Sequence, residues 1–334
     1  MDDVRSDDGR RARAASDGGG RVAGRDGWLE VRLPFQPPLA LGPLIDFLGT
    51  RALPGVEQVV DGTYHRVLRL PGGLGIVSLG SGDGTGIDGT AGSGPSVTCR
   101  MRLDDPRDRP VATAACRRLL DLDADPAAID AALGADPRLA PLVAASPGRR
   151  APVHVDADEL AIRAVLGQQV SLAAARRLGG RLAALCGEPL SDPVGGLTTA
   201  FPSAAAIADA DLDRLGMPGA RRATLRTLGR TLADGDIVLG PDADPDEAER
   251  RLLELRGIGP WTAAYVRMRG LGDPDVFLTG DVGVRRALDA LGLAATSTSD
   301  ERWRPWRSYA VQHLWASLAR GARRGERGIT GSRR

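Results

Sequence analysis

Leu255-Arg256-Gly257-Ile258-Gly259-Pro260-Trp261-Thr262-Ala263-Ala264-Tyr265 decides how this chain is read, together with Asp281 some twenty residues on. The apolar spacing predicts two short helices joined by a Gly-Ile-Gly turn. Each glycine admits backbone conformations and close approaches that a β-carbon would forbid. The amides opening the second helix have no intrahelical acceptor and form an anion site, so such a turn can hold a nucleic-acid backbone without reading bases. A plain αα-turn also carries glycine. Here, however, Leu252, Leu253 and Leu255 precede the turn, Pro260 takes a first-helical-turn position, and Trp261, Thr262 and Tyr265 follow on the helix. That combination favours the phosphate cradle.

Asp281 stands between Phe277-Leu278-Thr279-Gly280 and Val282-Gly283-Val284-Arg285-Arg286. Taken alone it is a helix N-cap. A helix from Pro260 to about Gly270 followed by a short loop returns the chain to the hairpin side, so a capping and a catalytic role are compatible. Four of the five tryptophans are Trp261, Trp303, Trp306 and Trp315. Core packing is the reading for Trp303 and Trp306. Trp261 and Trp315, facing the carboxylate, would wall a pocket that stacks a base and favours a cationic one. Asp273 and Asp275, in a Gly-Asp-Pro-Asp turn, read as structural. Gln168 and Gln169, at a break between helices, could be a polar wedge entering a duplex, but from the residues alone the reading is a surface turn.

The 334 residues carry a net charge of +1 and suffice for two or three domains. The chain contains no lysine; apart from histidine every basic side chain is arginine, so no Schiff base can form through lysine. Cys99, Cys116 and Cys186 are too few for a four-cysteine zinc or iron–sulfur site and fit a reducing compartment. The absence of a signal sequence or a membrane-length apolar run points to the cytoplasm.

Residues 1–27 read as a disordered tail. From Trp28 to about 150 the pattern predicts a small antiparallel sheet with helix: strands near Trp28–Leu33, Val56–Val60, Tyr64–Leu70, Leu74–Leu79 and Ser96–Leu103, a helix at Leu41–Ala52, and a Gly-rich loop at 80–94. After Asp105 the pattern is helical throughout, and residues 151–320 form an all-α body around the hairpin. Residues 321–334 are an Arg-rich tail. The fold class is therefore α+β, a small sheet domain followed by a two-lobed helical body.

The hairpin, Asp281, Trp315 and the segment Leu166-Gly167-Gln168-Gln169-Val170-Ser171 resemble the helix-hairpin-helix superfamily of base-excision DNA glycosylases, in particular its alkylation-repair branch. The likeness runs from about Trp28 to Leu318 and includes Gly216-Met-Pro-Gly-Ala-Arg-Arg222 and Trp303-Arg-Pro-Trp-Arg-Ser-Tyr-Ala310. It implies that Asp281 is catalytic and that Trp261, Tyr265, Trp315 and Phe47 line the base pocket. Gly257, Gly259 and Thr262 fall on contacts to DNA phosphate, and Gln168 and Gln169 on the wedge. The carbonyls of Leu253, Leu255 and Ile258 fall on positions that hold a monovalent cation, sodium or potassium, as a structural ion; no other cofactor and no iron–sulfur cluster is implied. Where the branch has an apolar wedge this chain has Gln169, and where it has a tyrosine after the aspartate this chain has Val282.

The activity implied is hydrolysis of the N-glycosidic bond of alkylated purines, of the 3-methyladenine and 7-methylguanine type, in double-stranded DNA, by a monomer. Related lyases place a lysine where this chain has Trp261, so a monofunctional enzyme is expected. The alternatives are a glycosylase for oxidised or deaminated bases and a non-catalytic DNA-binding protein.

Overall fold

Alternation of apolar residues builds the N-terminal sheet. In the computed structural model, which describes residues 27–80, 94–293 and 301–331, the strands are β1 (Leu29–Pro34), β2 (Glu57–Val60), β3 (Thr63–Leu70), β4 (Gly73–Gly80) and β5 (Ser96–Leu103). They pair antiparallel in the order β1-β5-β4-β3-β2. The predicted N-terminal tail and nearly all of the Gly-rich loop lie outside the described residues.

Successive side chains of a strand point to opposite faces, and both faces of this sheet are covered. Tyr64, Leu68, Val77, Leu79, Val97, Cys99 and Met101 face α1 (Leu41–Gly49) and α2 (Arg109–Leu120). Val67, Leu74 and Ile76 face the other way and pack against Leu197 and Ala200. Those two residues belong to a β-hairpin, β6 (Glu188–Val194) and β7 (Leu197–Ala200). This corrects the expectation of an all-helical chain after Asp105. Pro189 and Pro193 obscure the strand signal, and the hairpin exists because it covers the outer face of a sheet more than a hundred residues away.

The helical body has two cores. One joins α5 (Ala157–Leu166), α6 (Leu172–Cys186), α7 (Ala204–Asp209) and α8 (Gly219–Ala233) with Leu252, Ile258, Ala263 and Val266. The other joins α3 (Pro126–Gly134) and α4 (Ala140–Ala144) with Met268, Leu278, α11 (Val282–Ala290) and α12 (Arg307–Gly331). Packing therefore does not follow the boundary drawn at 150, since α3 and α4 share a core with the C-terminal helices. The α12 backbone continues helical through Gly331, into the segment read as a tail. Trp303 is buried and donates its indole N–H to Asp136 at 3.0 Å, as its core reading requires. Asp273 and Asp275 bind Arg267 and Arg304/Arg307 respectively, in keeping with a structural role. Among the described residues no helix is long and apolar enough to cross a membrane.

Candidate active site

Asp244 caps the helix that leads into the hairpin, α9 (Pro245–Glu254), by accepting from the amides of Asp246 and Glu247 at 2.9 and 3.1 Å. The turn follows, and α10 (Pro260–Val266) begins behind Gly259. Only one of the two glycines is demanded by the protein itself. Gly257 has φ +96°, and a β-carbon there would stand 2.1 Å from Thr224 Oγ1, whose hydroxyl reaches the Arg256 carbonyl at 3.0 Å. Gly259 has φ −102°, open to any residue, and its added β-carbon would meet nothing within 4 Å. Gly259 thus leaves the outer face of the turn bare.

Ala263 N closes the first turn of α10 on Gly259 O at 3.1 Å, so the amides of Trp261 and Thr262 have no acceptor within the helix. The Thr262 side chain is buried, and its hydroxyl takes the Gln168 amide at 3.0 Å. Gln168 also donates to Gly257 O at 2.9 Å. The buried Thr262 hydroxyl accepts one of the amide hydrogens, and Gln168 thus spends both inside the hairpin and ties the preceding helix break to the turn. Gln169 beside it is exposed and held at φ +56°, an uncommon conformation for a residue with a β-carbon. Of the predicted wedge pair, Gln169 is the one that projects. At the turn, the Leu255 carbonyl accepts Ile258 N at 3.0 Å and retains a second lone pair. Leu253 is exposed and Ile258 buried.

Asp281 caps α11, accepting from Val284 N at 2.8 Å through Oδ1. The same oxygen accepts Trp315 Nε1 at 2.9 Å, and Oδ2 accepts Trp261 Nε1 at 3.1 Å. Cap and pocket roles coincide in one side chain. Gly283 permits this approach: its added β-carbon would lie 3.0 Å from Asp281 Oδ1 and 3.2 Å from the Trp315 ring. Trp261 and Tyr265 stack with ring centroids 5.2 Å apart, and Phe47 and Trp315 lie nearly parallel at 6.2 Å. Phe47 arrives from α1 in the sheet domain. Trp261, Tyr265, Asp281, Gly283 and Trp315 line a cavity of about 540 Å³, a size suited to a small ligand.

The pocket is not uniformly electron-rich, as expected from its aromatics alone. The Arg51 guanidinium lies 3.7 Å from the Phe47 ring centroid and 5.8 Å from that of Trp315, so a cation of the protein already uses the ring faces. Arg269, 2% exposed, also lies 4.7 Å from the Phe47 centroid. Burial pushes the Tyr265 phenol up, but the charges of Arg269, Arg51 and Arg163 outweigh it and hold the group below its usual value.

Behind these arginines lies a buried charge network that sequence reading missed. Glu57, His154 and Glu159 bring their ligand atoms within 4.8 Å of one another, a metal-like cluster, but guanidinium groups fill it. Arg66 binds Glu57 and Glu159 at 3.3 and 2.8 Å, and Arg163 binds the same pair at 2.9 and 2.8 Å. Two cations balance two carboxylates, which argues against a metal. Burial opposes the ionised form of Glu57, yet Arg163 and Arg66 prevail and lower it. The network also holds the end of α1: Arg163 donates to Arg51 O at 2.6 Å, and Leu53 N donates to Glu57 at 2.8 Å. Phe47 and Arg51 are thereby fixed against the helical body. For Arg51 and Arg269 the one signal in sequence is spacing, since Arg51 follows Phe47 by four and Arg269 follows Tyr265 by four; the network residues carry none.

Residues 30–156 match the AlkA N-terminal domain, and residues 162–307 match the family described as HhH-GPD superfamily base excision DNA repair protein. The chain is 36% identical over 287 residues to DNA-3-methyladenine glycosylase 2 of Escherichia coli, covering 85% of this chain and 95% of that one. The chain belongs to the HhH-GPD superfamily of base excision DNA repair proteins. It is also 48% identical over 312 residues to a Mycobacterium tuberculosis protein named probable bifunctional transcriptional activator/DNA repair enzyme AlkA. That match covers 92% of this chain but 60% of the mycobacterial one, so the chain spans well under two thirds of that relative. Among solved structures, a 3-methyladenine DNA-glycosylase from Archaeoglobus fulgidus superposes with a TM-score of 0.69 at 20% identity, covering 86% of this chain and 96% of the other. An 8-oxoguanine glycosylase/lyase from Clostridium acetobutylicum does so with 0.63 at 16% identity, covering 87% and 96%. At those identities the shared feature is the fold.

Proposed function

We propose that the chain is a monofunctional DNA glycosylase that hydrolyses the N-glycosidic bond of alkylated purines in double-stranded DNA, acting as a cytoplasmic monomer. The observation that carries the reading is the Asp281 carboxylate, fixed by two indole N–H groups at the mouth of an aromatic slot. A damaged nucleotide leaves the stack at a cost of about a few kcal/mol. Its base enters between Trp261, Tyr265, Trp315 and Phe47. An N3- or N7-alkylated purine carries positive charge and leaves readily, so little acid catalysis is needed. The carboxylate then stabilises the oxocarbenium-like sugar and orients water. Because donors already fix both its oxygens, Asp281 requires little reorganisation as that charge develops.

The bare outer face at Gly259 and the amides of Trp261 and Thr262 support a phosphate contact there. The carbonyls of Leu253, Leu255 and Ile258 are proposed ligands of a sodium or potassium ion, a neutral oxygen set that suits such cations. With no lysine in the chain, no Schiff base arises through that side chain and strand cleavage is not expected.

Free-base release from methylated, deaminated and oxidised duplex DNA, by the parent and by Asp281→Asn, tests this. Asparagine still caps α11, so the variant should fold while base release falls by about a hundredfold or more. Equal release by both proteins would remove Asp281 from the chemistry, and release only from oxidised or deaminated DNA would reassign the substrate. A covalent adduct trapped by borohydride would sink the monofunctional assignment.

A further inference from the structure

We propose that Arg286 holds a backbone phosphate of the extruded nucleotide at the mouth of the cavity, a contact made only once that nucleotide has left the duplex. The inference rests on the glycosylase reading and deepens it, since it assigns a residue to the substrate's backbone at the same site.

Arg51, Arg163, Arg176, Arg269 and Arg286 all line the cavity. The first four are tied to the protein. Arg163 binds Glu57 and Glu159, and Arg51 Nη1 donates to Phe47 O at 3.2 Å. Arg176 Nε donates to Ala52 O at 2.8 Å, and Arg269 Nε to Pro152 O at 2.5 Å. Arg286 is exposed and makes no hydrogen bond or ion pair with the described residues. It does not turn to the carboxylate in the same cavity, whose donors are Val284 N, Trp315 Nε1 and Trp261 Nε1. A solvated cation at the mouth of a ligand cavity is free for an anion that arrives with the ligand.

The backbone sets Arg286 beside the place of reaction. Asp281 is the N-cap of α11, and Gly283 and Arg286, three residues apart, share one face of that helix. Both line the cavity. Bonds from Cα to Cβ on a helix tilt toward its N-terminus, which directs Arg286 back over the turn that Gly283 leaves without a side chain. A β-carbon at Gly283 would crowd Asp281 Oδ1 and the Trp315 ring. The neighbouring Arg285 is exposed as well but stands outside the cavity lining. Position, and not charge alone, distinguishes Arg286.

A nucleotide carries its glycosidic bond and its flanking phosphodiesters on one sugar ring. With the base in the slot and C1′ at Asp281, the phosphates on either side of that sugar leave through the mouth, where Arg286 stands. Guanidinium offers a planar fork of donors that matches phosphate oxygens and binds them without reading sequence. In an undamaged duplex the sugar stays outside the cavity, so the contact is withheld. The pairing therefore favours the extruded nucleotide, whose departure from the stack is otherwise unfavourable. Paired with a phosphate, the cation also ceases to oppose the positive charge that develops on the sugar beside Asp281.

Neutralising one phosphate at a time supplies the test. Duplexes carry an abasic-site analogue with a methylphosphonate on its 5′ or its 3′ side, and affinity is read by fluorescence anisotropy. In the parent, at least one of these substitutions should weaken binding by about tenfold or more. Arg286→Gln should bind the analogue with its natural backbone about tenfold more weakly, and the slope of log affinity against log salt should shrink by about one. In that variant the same methylphosphonate should cost less than about twofold, because its partner is already gone. Arg285→Gln removes an equal charge from the adjacent position and should leave the two losses multiplying. Losses that multiply in Arg286→Gln at both phosphates overturn the proposal, as does coupling to Arg285 in its place. A parent protein that frees no base from methylated DNA fails the glycosylase reading itself, a result distinct from multiplying losses.

Discussion

Trp315 Nε1 and Val284 N both donate to one oxygen of Asp281, at 2.9 and 2.8 Å. A helix cap and a pocket wall are therefore held by the same lone-pair-bearing atom, while Trp261 holds the other oxygen at 3.1 Å. The two tryptophans do more than present ring faces. They fix the direction of a carboxylate that the start of α11 alone would leave with one oxygen unengaged.

Removing either indole N–H should therefore slow catalysis without emptying the slot. Trp315→Phe and Trp261→Phe keep an aromatic face but lose a hydrogen bond to a charged group, worth about 1.5–3 kcal/mol. Single-turnover release of alkylated base is expected to fall by about tenfold or more in each. The double variant should fall by less than the product of the two, because both losses free the same carboxylate. Rates equal to the parent would reduce these residues to walls.

The two hairpin glycines should respond differently to alanine. Gly257→Ala meets a positive φ and a 2.1 Å approach to Thr224 Oγ1, and should cost about 2 kcal/mol or more of stability. Gly259→Ala meets nothing in the protein, so its melting temperature should stay near that of the parent. Its affinity for a duplex carrying an abasic-site analogue, read by fluorescence anisotropy, should drop. Full affinity in Gly259→Ala would separate the turn from the phosphate backbone.

Gln168 and Gln169 should also separate. Gln168→Ala removes donors from Gly257 O and Thr262 Oγ1 and should lower stability by about 1 kcal/mol. Gln169→Gly relieves a left-handed conformation and should raise stability by about 0.5–1 kcal/mol. If Gln169 fills the gap left by a flipped nucleotide, excision by this more stable variant will nevertheless be slower. A faster or unchanged rate denies it the wedge role.

A pH dependence follows from Asp121, at the C-terminal end of α2. Burial pushes its carboxyl up to about 6, against the pull of the Ala151 amide and Tyr309. In the unfolded chain the group titrates near 4, so between about pH 4 and 6 the folded state keeps a proton that the unfolded state releases. Stability therefore falls as pH rises through this window, by about 3 kcal/mol from this group. Asp121 has φ +52°, which asparagine tolerates. Asp121→Asn should match the parent at pH 4 and exceed it at pH 8 in chemical denaturation. A constant difference across that range would refute the assignment.

Much of the architecture was legible because local rules suffice for it. The alternation in Tyr64–Leu70 and Ser96–Leu103 marks strands, and Asp281 ahead of Val282 marks a helix start. The β6–β7 hairpin was not legible, since Leu197 and Ala200 earn strand geometry only by covering Val67, Leu74 and Ile76. Nor were the partners of Arg66 and Arg163, because a charge gives no sign in sequence of being buried. The packing of α3 and α4 against α11 and α12 was hidden for the same reason.

The sequence by itself determined the hairpin, the aspartate beyond it, the aromatics that surround that aspartate, and a chemistry without lysine. These depend on residue type and short spacing. Only the tertiary structure decided that Gln168 spends its amide hydrogens inside the hairpin, that Arg51 enters the slot from the sheet domain, and that Arg269 is buried against Phe47 at the cavity lining. Each depends on which groups meet across long stretches of chain and which lose water when they do. Hydrogen-bond partners and desolvation are properties of the packed molecule, not of any segment.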